Sequence, residues 1–421
     1  MIILSKILKL ILKVIAVLLV LLIVIPLILV AIPYKGTAKD VKPIGDITID
    51  TSIDNTKSED SYPFIFVHGM MGWGENAPMQ EKMPYWGLSH DADLIDYLRA
   101  NDYDVYAPSV SPVGSAYDRA CELYAQLTGT RVDYGEAHSR EYGHERYGRD
   151  YSGKATMGEP WDLKTKINLV GHSFGGPTIR VLTSLLAYGS TAEVEASGDN
   201  CSELFRGGHA DAIHAVVTLA SPSNGAPLAN IMNDTYLSFV FTAVMNKLYD
   251  PDKAYDPMID QWGVTEKIDL LNDLKLSASK DHCGYDMTIN GASVLNKKFP
   301  TVPDVYYISC SASLEGGNNK FLTPAEKCTK ALAHIVIDGK VLGKEWEAND
   351  GLVPVISARY PNSDANNFVD YKDGMHVDKG VWVCMPTDMG VSHGYYCSPA
   401  GEVTNFYTSA KDMIDFVNYL D

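Results

Sequence analysis

The sequence predicts an α/β fold in which helices flank a mostly parallel central sheet, preceded by an N-terminal transmembrane helix. Short, uninterrupted apolar runs end in glycine- or serine-rich turns, and helix-like stretches separate them. Continuous apolar runs of this length are typical of strands buried on both faces, as in a parallel sheet. The runs are residues 63–67, 166–170, 214–219 and 305–308, and helices are expected at 91–100 and 177–188.

Residues 1–38 are predicted to form a signal-anchor, or transmembrane, segment. Lys6, Lys9 and Lys13 precede an apolar run from residue 14 to residue 33 that contains no charge. A spanning helix needs about 20 apolar residues, and flanking lysines stay on the cytoplasmic side. The sequence therefore predicts a membrane-anchored protein whose remaining chain is extracytoplasmic. Cleavage near the small residues Gly36-Thr37-Ala38 is the alternative, and it would give a secreted protein.

A polar linker, residues 39–60, is expected to connect this segment to one large domain, residues 61–421. Two stretches of the domain depart from the alternation of strands and helices. Residues 115–162 are rich in tyrosine, histidine, arginine and glycine and are predicted to form an excursion. Residues 225–265 contain an apolar helix candidate, which is interpreted as a helical lid over a site or as an ordinary packing helix.

The segment Gly171-His172-Ser173-Phe174-Gly175 contains a G-x-S-x-G motif. It follows one predicted strand and precedes a predicted helix, which is the context that this motif requires. Small residues on both sides let the chain turn sharply and raise the serine hydroxyl above the sheet. Ser173 is therefore predicted to be the nucleophile of an α/β-hydrolase. The backbone N–H groups of Phe174 and of Met70, in the loop after the first strand, are predicted to form the oxyanion hole.

A carboxylate and a histidine should follow Ser173 in the chain, in that order. His393 lies late in the sequence between glycines, and Asp350 lies in a tight Asn-Asp-Gly turn. An Asp-Gly pair can equally form a turn that has no chemical role. Asp338 and His376 are the alternative pair.

A longer series of motifs occurs in order from about residue 61 onward. It comprises residues 68–74, 85–87, 117–122, 132–135, 138, 143–144, 146–149, 171–173, 260–263 and 349–351. The series resembles the large bacterial true lipases of the bacillar and staphylococcal group, which are zinc-containing triacylglycerol lipases of the α/β-hydrolase superfamily. The resemblance implies that Ser173, Asp350 and His393 form a catalytic triad.

The resemblance also implies a zinc site. In that family two aspartates and two histidines bind a zinc ion that ties the excursion to the lid-side region, and the matching positions are Asp118, His138, His144 and Asp260. Four protein ligands leave no open position, so the ion is expected to be structural. A calcium site is not expected, because the positions that match its acidic ligands, Tyr395 among them, carry no carboxylate.

The expected activity is hydrolysis of carboxylic esters, triacylglycerols included, through an acyl-enzyme. The same triad could serve a phospholipase or an acyltransferase acting on envelope lipids, and a non-catalytic surface protein could retain the same fold. The expected partners are lipid or other ester substrates, with the membrane reached through the N-terminal helix. The net charge of −18 excludes nucleic acid as a partner, because phosphate binding needs clustered lysine and arginine.

Overall fold

The computed structural model describes residues 61–88, 92–232, 258, 260–262, 278–317, 323–337, 339–399 and 403–420. The predicted signal-anchor, the predicted linker and most of the predicted lid lie outside these residues. In the described ranges, no helix combines the length and the apolar character needed to cross a bilayer.

A seven-stranded parallel sheet forms the centre of the fold, which confirms the predicted α/β fold with its mostly parallel central sheet. The strands of the described residues are Phe64–Val67 (β1), Val105–Tyr106 (β2), Arg131–Asp133 (β3), Tyr147–Asp150 (β4), Ile167–His172 (β5), Ile213–Leu219 (β6), Tyr306–Cys310 (β7), Ala312–Ser313 (β8), Val336–Ile337 (β9), Lys340–Val341 (β10), Phe368–Asp370 (β11), Trp382–Cys384 (β12) and Asp388–Met389 (β13). The order across the central sheet is β11-β12-β7-β6-β5-β1-β2, and every neighbouring pair in it is parallel. Strands β1, β5, β6 and β7 coincide with the predicted apolar runs.

Helices cover both faces of this sheet. They are Leu94–Ala100 (α1), Ala116–Thr128 (α2), Glu136–Tyr142 (α3), Gly175–Tyr188 (α4), Thr191–Ser197 (α5), Pro227–Met232 (α6), Cys283–Asp286 (α7), Ile289–Lys298 (α8), Thr323–Leu332 (α9), Val355–Arg359 (α10) and Val403–Asn418 (α11). Short 3₁₀ helices are Gly198–Asn200, Glu203–Phe205, Asp260–Trp262, Lys344–Trp346, Asn362–Asp364 and His393–Cys397. Helix α4 packs on β5 and β6, and α11 packs on α1.

The sheet separates two hydrophobic clusters. Because successive side chains of a strand point to opposite faces, β1 contributes to both clusters. Ile65 and Val67 belong to the cluster that includes residues of α2 and α4, whereas Phe64 and Phe66 belong to the cluster that includes residues of α1 and α11. Burial on both faces explains why this strand is an unbroken apolar run in the sequence.

The predicted excursion is built from α2, α3 and the antiparallel pair of β3 and β4. Ser115 caps the start of α2, because its side chain accepts a hydrogen bond from the N–H of Asp118, and Gly129, with a φ of 60°, caps its end. A hydroxyl at the first position and a left-handed glycine at the last satisfy the free backbone groups of a helix. Every residue of α2 is buried, so this helix belongs to the core of the domain.

Candidate active site and metal cluster

Ser173 lies at a sharp turn between β5 and α4. Its φ of 54° falls in the left-handed region, which a residue with a side chain rarely adopts. A Cβ atom on Gly171 would come within 2.5 Å of the backbone carbon of Gly175, and a Cβ atom on Gly175 would come within 2.1 Å of the carbonyl oxygen of Val67. The glycines of the motif are therefore required by close backbone packing, which holds Ser173 at the carboxyl end of the sheet.

The structure brings Ser173, His393 and Asp350 together. His393 Nε2 lies 2.8 Å from Ser173 Oγ, and His393 Nδ1 lies 2.8 Å from Asp350 Oδ2. The other carboxylate oxygen, Asp350 Oδ1, accepts hydrogen bonds from the N–H groups of Leu352 and Val353 at 2.9 and 2.7 Å. Asp350 and His393 are 1% and 7% exposed. A buried carboxylate thus orients an imidazole whose second nitrogen faces a serine hydroxyl, which is the arrangement of a serine hydrolase.

His376, one member of the alternative pair considered from the sequence, does not reach this site. His376 is exposed, and its Nε2 lies 3.3 Å from the carboxylate of Asp378, also on the surface. Asp338 lies outside the described residues.

The loop that follows β1 lies directly against the nucleophile. A Cβ atom on Gly69 would come within 2.7 Å of the Cβ atom of Ser173. Within the described part of the chain, the N–H groups of Met70 and Phe174 donate to no protein acceptor. Two backbone donors without a protein acceptor, on the residues that follow Gly69 and Ser173, meet the first requirement of an oxyanion hole.

A buried arginine holds this loop. The guanidinium of Arg119 on α2 donates to the carbonyl oxygens of His68 and Gly69 and lies 5.1 Å from the centre of the Phe174 ring. His68 accepts a hydrogen bond at Nε2 from the N–H of Val110 at 3.1 Å, and burial lowers the pKa of its imidazole to about 3. Sequence reasoning missed the role of Arg119, although the residue belongs to a stretch on which the family resemblance rested.

Four buried or half-buried side chains form a cluster suited to a metal ion. They are Asp118, His138, His144 and Asp281, whose ligand atoms all lie within 4.8 Å of one another. His138 Nε2 is 3.0 Å from Asp118 Oδ1 and 3.3 Å from Asp281 Oδ2. His144 Nε2 is 3.2 Å from Asp281 Oδ2, yet both of these buried atoms lack a hydrogen bond. Buried polar atoms without a partner are costly, and two imidazoles with two carboxylates suit tetrahedral zinc.

Asp260, which the resemblance had implied as the fourth ligand, is not part of this cluster. Its carboxylate forms an ion pair with Arg149, with Oδ1 3.0 Å from Nη2. Its neighbour Gln261 contacts the cluster instead, because Gln261 Nε2 donates to Asp118 Oδ2 at 2.7 Å. The prediction of Asp260 is therefore corrected to Asp281.

A non-local contact explains the place of Asp281. An antiparallel bridge pairs Gly114 with His282, so Asp281 lies next to the first turn of α2, which carries Asp118. No local pattern in the sequence marks Asp281 as a ligand. Only the pairing of two segments that are far apart in the chain places it there.

Comparison with known proteins gives the family. Residues 60–420 match the family model described as a lipase-like C-terminal domain. A lipase of Staphylococcus hyicus is 35% identical over 388 residues, which cover 86% of this chain and 58% of that protein. EstA from Clostridium botulinum is 32% identical with a TM-score of 0.71, covering 86% of this chain and 88% of that one. Lipase 1 from Pelosinus fermentans is 31% identical with a TM-score of 0.72, covering 86% of this chain and all of that one.

The chain spans little more than half the length of the curated relatives that it matches, 54% for a Staphylococcus epidermidis lipase and 58% for the S. hyicus lipase. The match nevertheless covers nearly all of the domain that the sequence predicted from residue 61 onward. The resemblance to staphylococcal lipases that the motifs indicated is thereby confirmed. The chain belongs to the family of lipase-like C-terminal domains.

Proposed function

We propose that this chain is a carboxylic ester hydrolase, a triacylglycerol lipase or esterase, with Ser173 as its nucleophile. The observation that carries the proposal is the placement of the His393 ring, with one nitrogen 2.8 Å from the serine hydroxyl and the other 2.8 Å from the buried carboxylate of Asp350. The names of the relatives support ester substrates, since several of them are called lipases.

In the proposed reaction, His393 Nε2 takes the proton of Ser173 Oγ as that oxygen attacks the ester carbonyl carbon. Asp350 holds the Nδ1 proton and stabilises the imidazolium that forms. The N–H groups of Met70 and Phe174 donate to the carbonyl oxygen as it becomes negative. His393 then returns the proton to the departing alcohol oxygen, which leaves an acyl group on Ser173. A water molecule, deprotonated by His393, releases the acid and restores the serine.

We propose further that Asp118, His138, His144 and Asp281 hold a zinc ion. An ion held there would supply a structural cross-link, because four protein donors satisfy its usual coordination. It would join α2 and the residues around α3 to the segment before α7. The reaction steps above use only the side chains and backbone groups of the triad and the oxyanion loop.

The proposed organisation of the whole chain rests on the sequence. Residues 1–38 would carry the chain to or through the membrane, residues 39–60 would act as a linker, and the hydrolase domain would begin near residue 61. A lid within 225–265 would cover the catalytic residues in the absence of a lipid surface.

The test is hydrolysis of p-nitrophenyl esters with acyl chains from butyrate to palmitate by the full chain and by Ser173→Ala. Ser309→Ala is a matched control, because Ser309 is a buried serine on β7. Turnover by the wild type and the control, with none by Ser173→Ala, is expected. Turnover that persists in Ser173→Ala would refute the proposal. Adding an alcohol acceptor and measuring new ester against free acid distinguishes an acyltransferase from a hydrolase.

A further inference from the structure

A chain of three hydrogen bonds runs behind the proposed catalytic residues. The N–H of Gly69 lies 2.9 Å from Tyr85 Oη, and Tyr85 Oη lies 2.7 Å from His172 Nδ1. The second nitrogen of the same ring, His172 Nε2, lies 2.9 Å from the carbonyl oxygen of His393. Tyr85 and His172 are buried, and neither takes part in the bond-making steps.

The chemistry of the groups allows only one direction for these hydrogen bonds. The carbonyl oxygen of His393 can only accept, so His172 Nε2 carries the ring proton. Burial lowers the pKa of His172 to about 3, which keeps its imidazole neutral and leaves a lone pair on Nδ1. The Tyr85 hydroxyl must therefore donate to Nδ1. Its oxygen is then free to accept from the N–H of Gly69.

The two ends of this chain are parts of the proposed catalytic machinery. Gly69 precedes Met70, whose N–H is a proposed oxyanion donor, and its backbone lies against the Cβ atom of Ser173. At the other end the main chain of His393 is held, and the ring of that residue is the proposed base. His172 is itself adjacent to Ser173 in the sequence. Three segments that lie apart in the sequence, at Gly69, His172 and His393, are thus joined through one phenol and one imidazole.

We propose that Tyr85 and His172 are positioning residues, which hold the oxyanion loop and the main chain of His393 in fixed relation to Ser173. The proposal rests on the proposed function of this site. The positioning by Tyr85 and His172 should stabilise the transition state, because the oxyanion forms and the proton moves only there. Misplacement of a reacting group by about 1 Å costs about 10²-fold in rate, so loss of the Tyr85 hydroxyl should be felt in kcat.

Tyr85→Phe tests the inference with the ring retained. The ring packs edge-on against Trp73 and Trp86, with centroids 5.6 and 5.4 Å away, and phenylalanine preserves this packing. The variant leaves Gly69 N–H without its acceptor and His172 Nδ1 without its donor. We expect kcat to fall about 10- to 100-fold and KM to change less than about threefold.

Tyr307→Phe is the matched control. Tyr307 is buried, and its hydroxyl likewise accepts a hydrogen bond from a backbone N–H, that of Val302 at 3.0 Å. Both variants remove one buried hydroxyl and leave one backbone donor unsatisfied, so both should lower the Tm. Tyr85→Phe also leaves His172 Nδ1 without its donor, so its Tm should fall at least as far as that of Tyr307→Phe. Only Tyr85→Phe is expected to lose kcat.

Two substitutions of His172 provide a graded comparison. His172→Gln keeps a hydrogen-bond donor, the NH₂ group, and an acceptor, the amide oxygen, at the end of the side chain. His172→Leu keeps neither. The glutamine variant should retain at least about fivefold more kcat than the leucine variant, because it can still hold the carbonyl oxygen of His393. A purely steric role of the ring would give equal kcat values in the two variants, and that result would overturn the inference for His172.

The readouts are kcat and KM on p-nitrophenyl esters, the rate of covalent modification by a fluorophosphonate, and Tm. The modification needs the nucleophile and its base but no particular ester. Suppose that the wild type hydrolyses esters and reacts with the fluorophosphonate, and that Tyr85→Phe equals Tyr307→Phe in kcat and in modification rate. That result would overturn the inference and leave the proposed function intact. A folded wild type that neither hydrolyses esters nor reacts with the fluorophosphonate would overturn the proposed function, and the inference with it.

Discussion

Replacement of Asp350 by asparagine changes one atom of the proposed triad and should reverse the direction of one hydrogen bond. Asp350 Oδ1 accepts from the N–H groups of Leu352 and Val353, so the oxygen of an asparagine is held at that position. Its NH₂ group must then face Nδ1 of His393, where Oδ2 of the carboxylate lies now. Because the amide donates there, Nδ1 becomes an acceptor and the ring proton moves to Nε2. A protonated Nε2 cannot take the proton of Ser173.

The size of the expected loss in kcat follows from this change of tautomer. In Ser-His-Asp triads an amide in place of the carboxylate lowers kcat by about 10⁴-fold. A loss of about 10³- to 10⁴-fold in kcat is expected here, which corresponds to about 4–5.5 kcal/mol of transition-state stabilisation. Folding should change little, because both backbone N–H donors keep their acceptor.

The assay is the initial rate of hydrolysis of a p-nitrophenyl ester near pH 8, with Tm measured on the same samples. Asp378→Asn is a matched control, because Asp378 forms an exposed pair with His376 at 3.3 Å. The control should retain wild-type kcat. A folded Asp350→Asn variant that loses less than about tenfold in kcat would refute the reasoning, since a misprotonated base cannot sustain that rate.

Two further predictions concern the metal cluster and a buried carboxyl group on α2. Asp281→Asn should lower both the zinc bound per chain and the Tm, whereas Asp260→Asn should leave the amount of bound zinc unchanged. The bound zinc is measured by metal analysis. Equal zinc loss in the two variants would contradict the assignment of Asp281 as a ligand. Burial raises the pKa of Glu122 from 4.5 to about 8, so folding favours its neutral form. The stability from this group is fully present below about pH 4.5 and is lost as the pH rises through about 8, so the wild-type Tm should fall more steeply across that window than the Tm of Glu122→Gln. Parallel Tm curves would show that Glu122 does not titrate in this way.

Much of the fold follows from local patterns in the sequence. Strands β1, β5, β6 and β7 lie in predominantly apolar runs because both of their faces are buried. Strands β2, β11 and β12 are not among the predicted strands, and each has only two or three residues. Helix α4 begins at Gly175, two residues before the predicted start, because the turn at Ser173 enters the helix directly.

In the candidate site, too, some residues could be found from local sequence patterns, whereas others could not. Ser173 could be found from a local motif, and the chain order of the triad limited the choice of its partners to a few residues. Asp281 could not be found locally, because the bridge between Gly114 and His282 brings it to α2. Tyr85 and Arg119 act on the backbone of the loop after β1 from distant parts of the chain. Hydrogen bonds to a backbone place few demands on the neighbouring sequence, so the motifs that contain Tyr85 and Arg119 do not reveal these roles.

The assignment of Ser173 as the nucleophile is tested most directly by the mass of the intact chain after reaction with a fluorophosphonate, followed by peptide mapping. We expect one adduct per chain, located on Ser173, because the His393 ring lies 2.8 Å from that hydroxyl and activates it. Asp350→Asn should form the same adduct much more slowly. A folded chain that stays unmodified, or that carries the adduct on another residue, would contradict the assignment of Ser173 as the nucleophile.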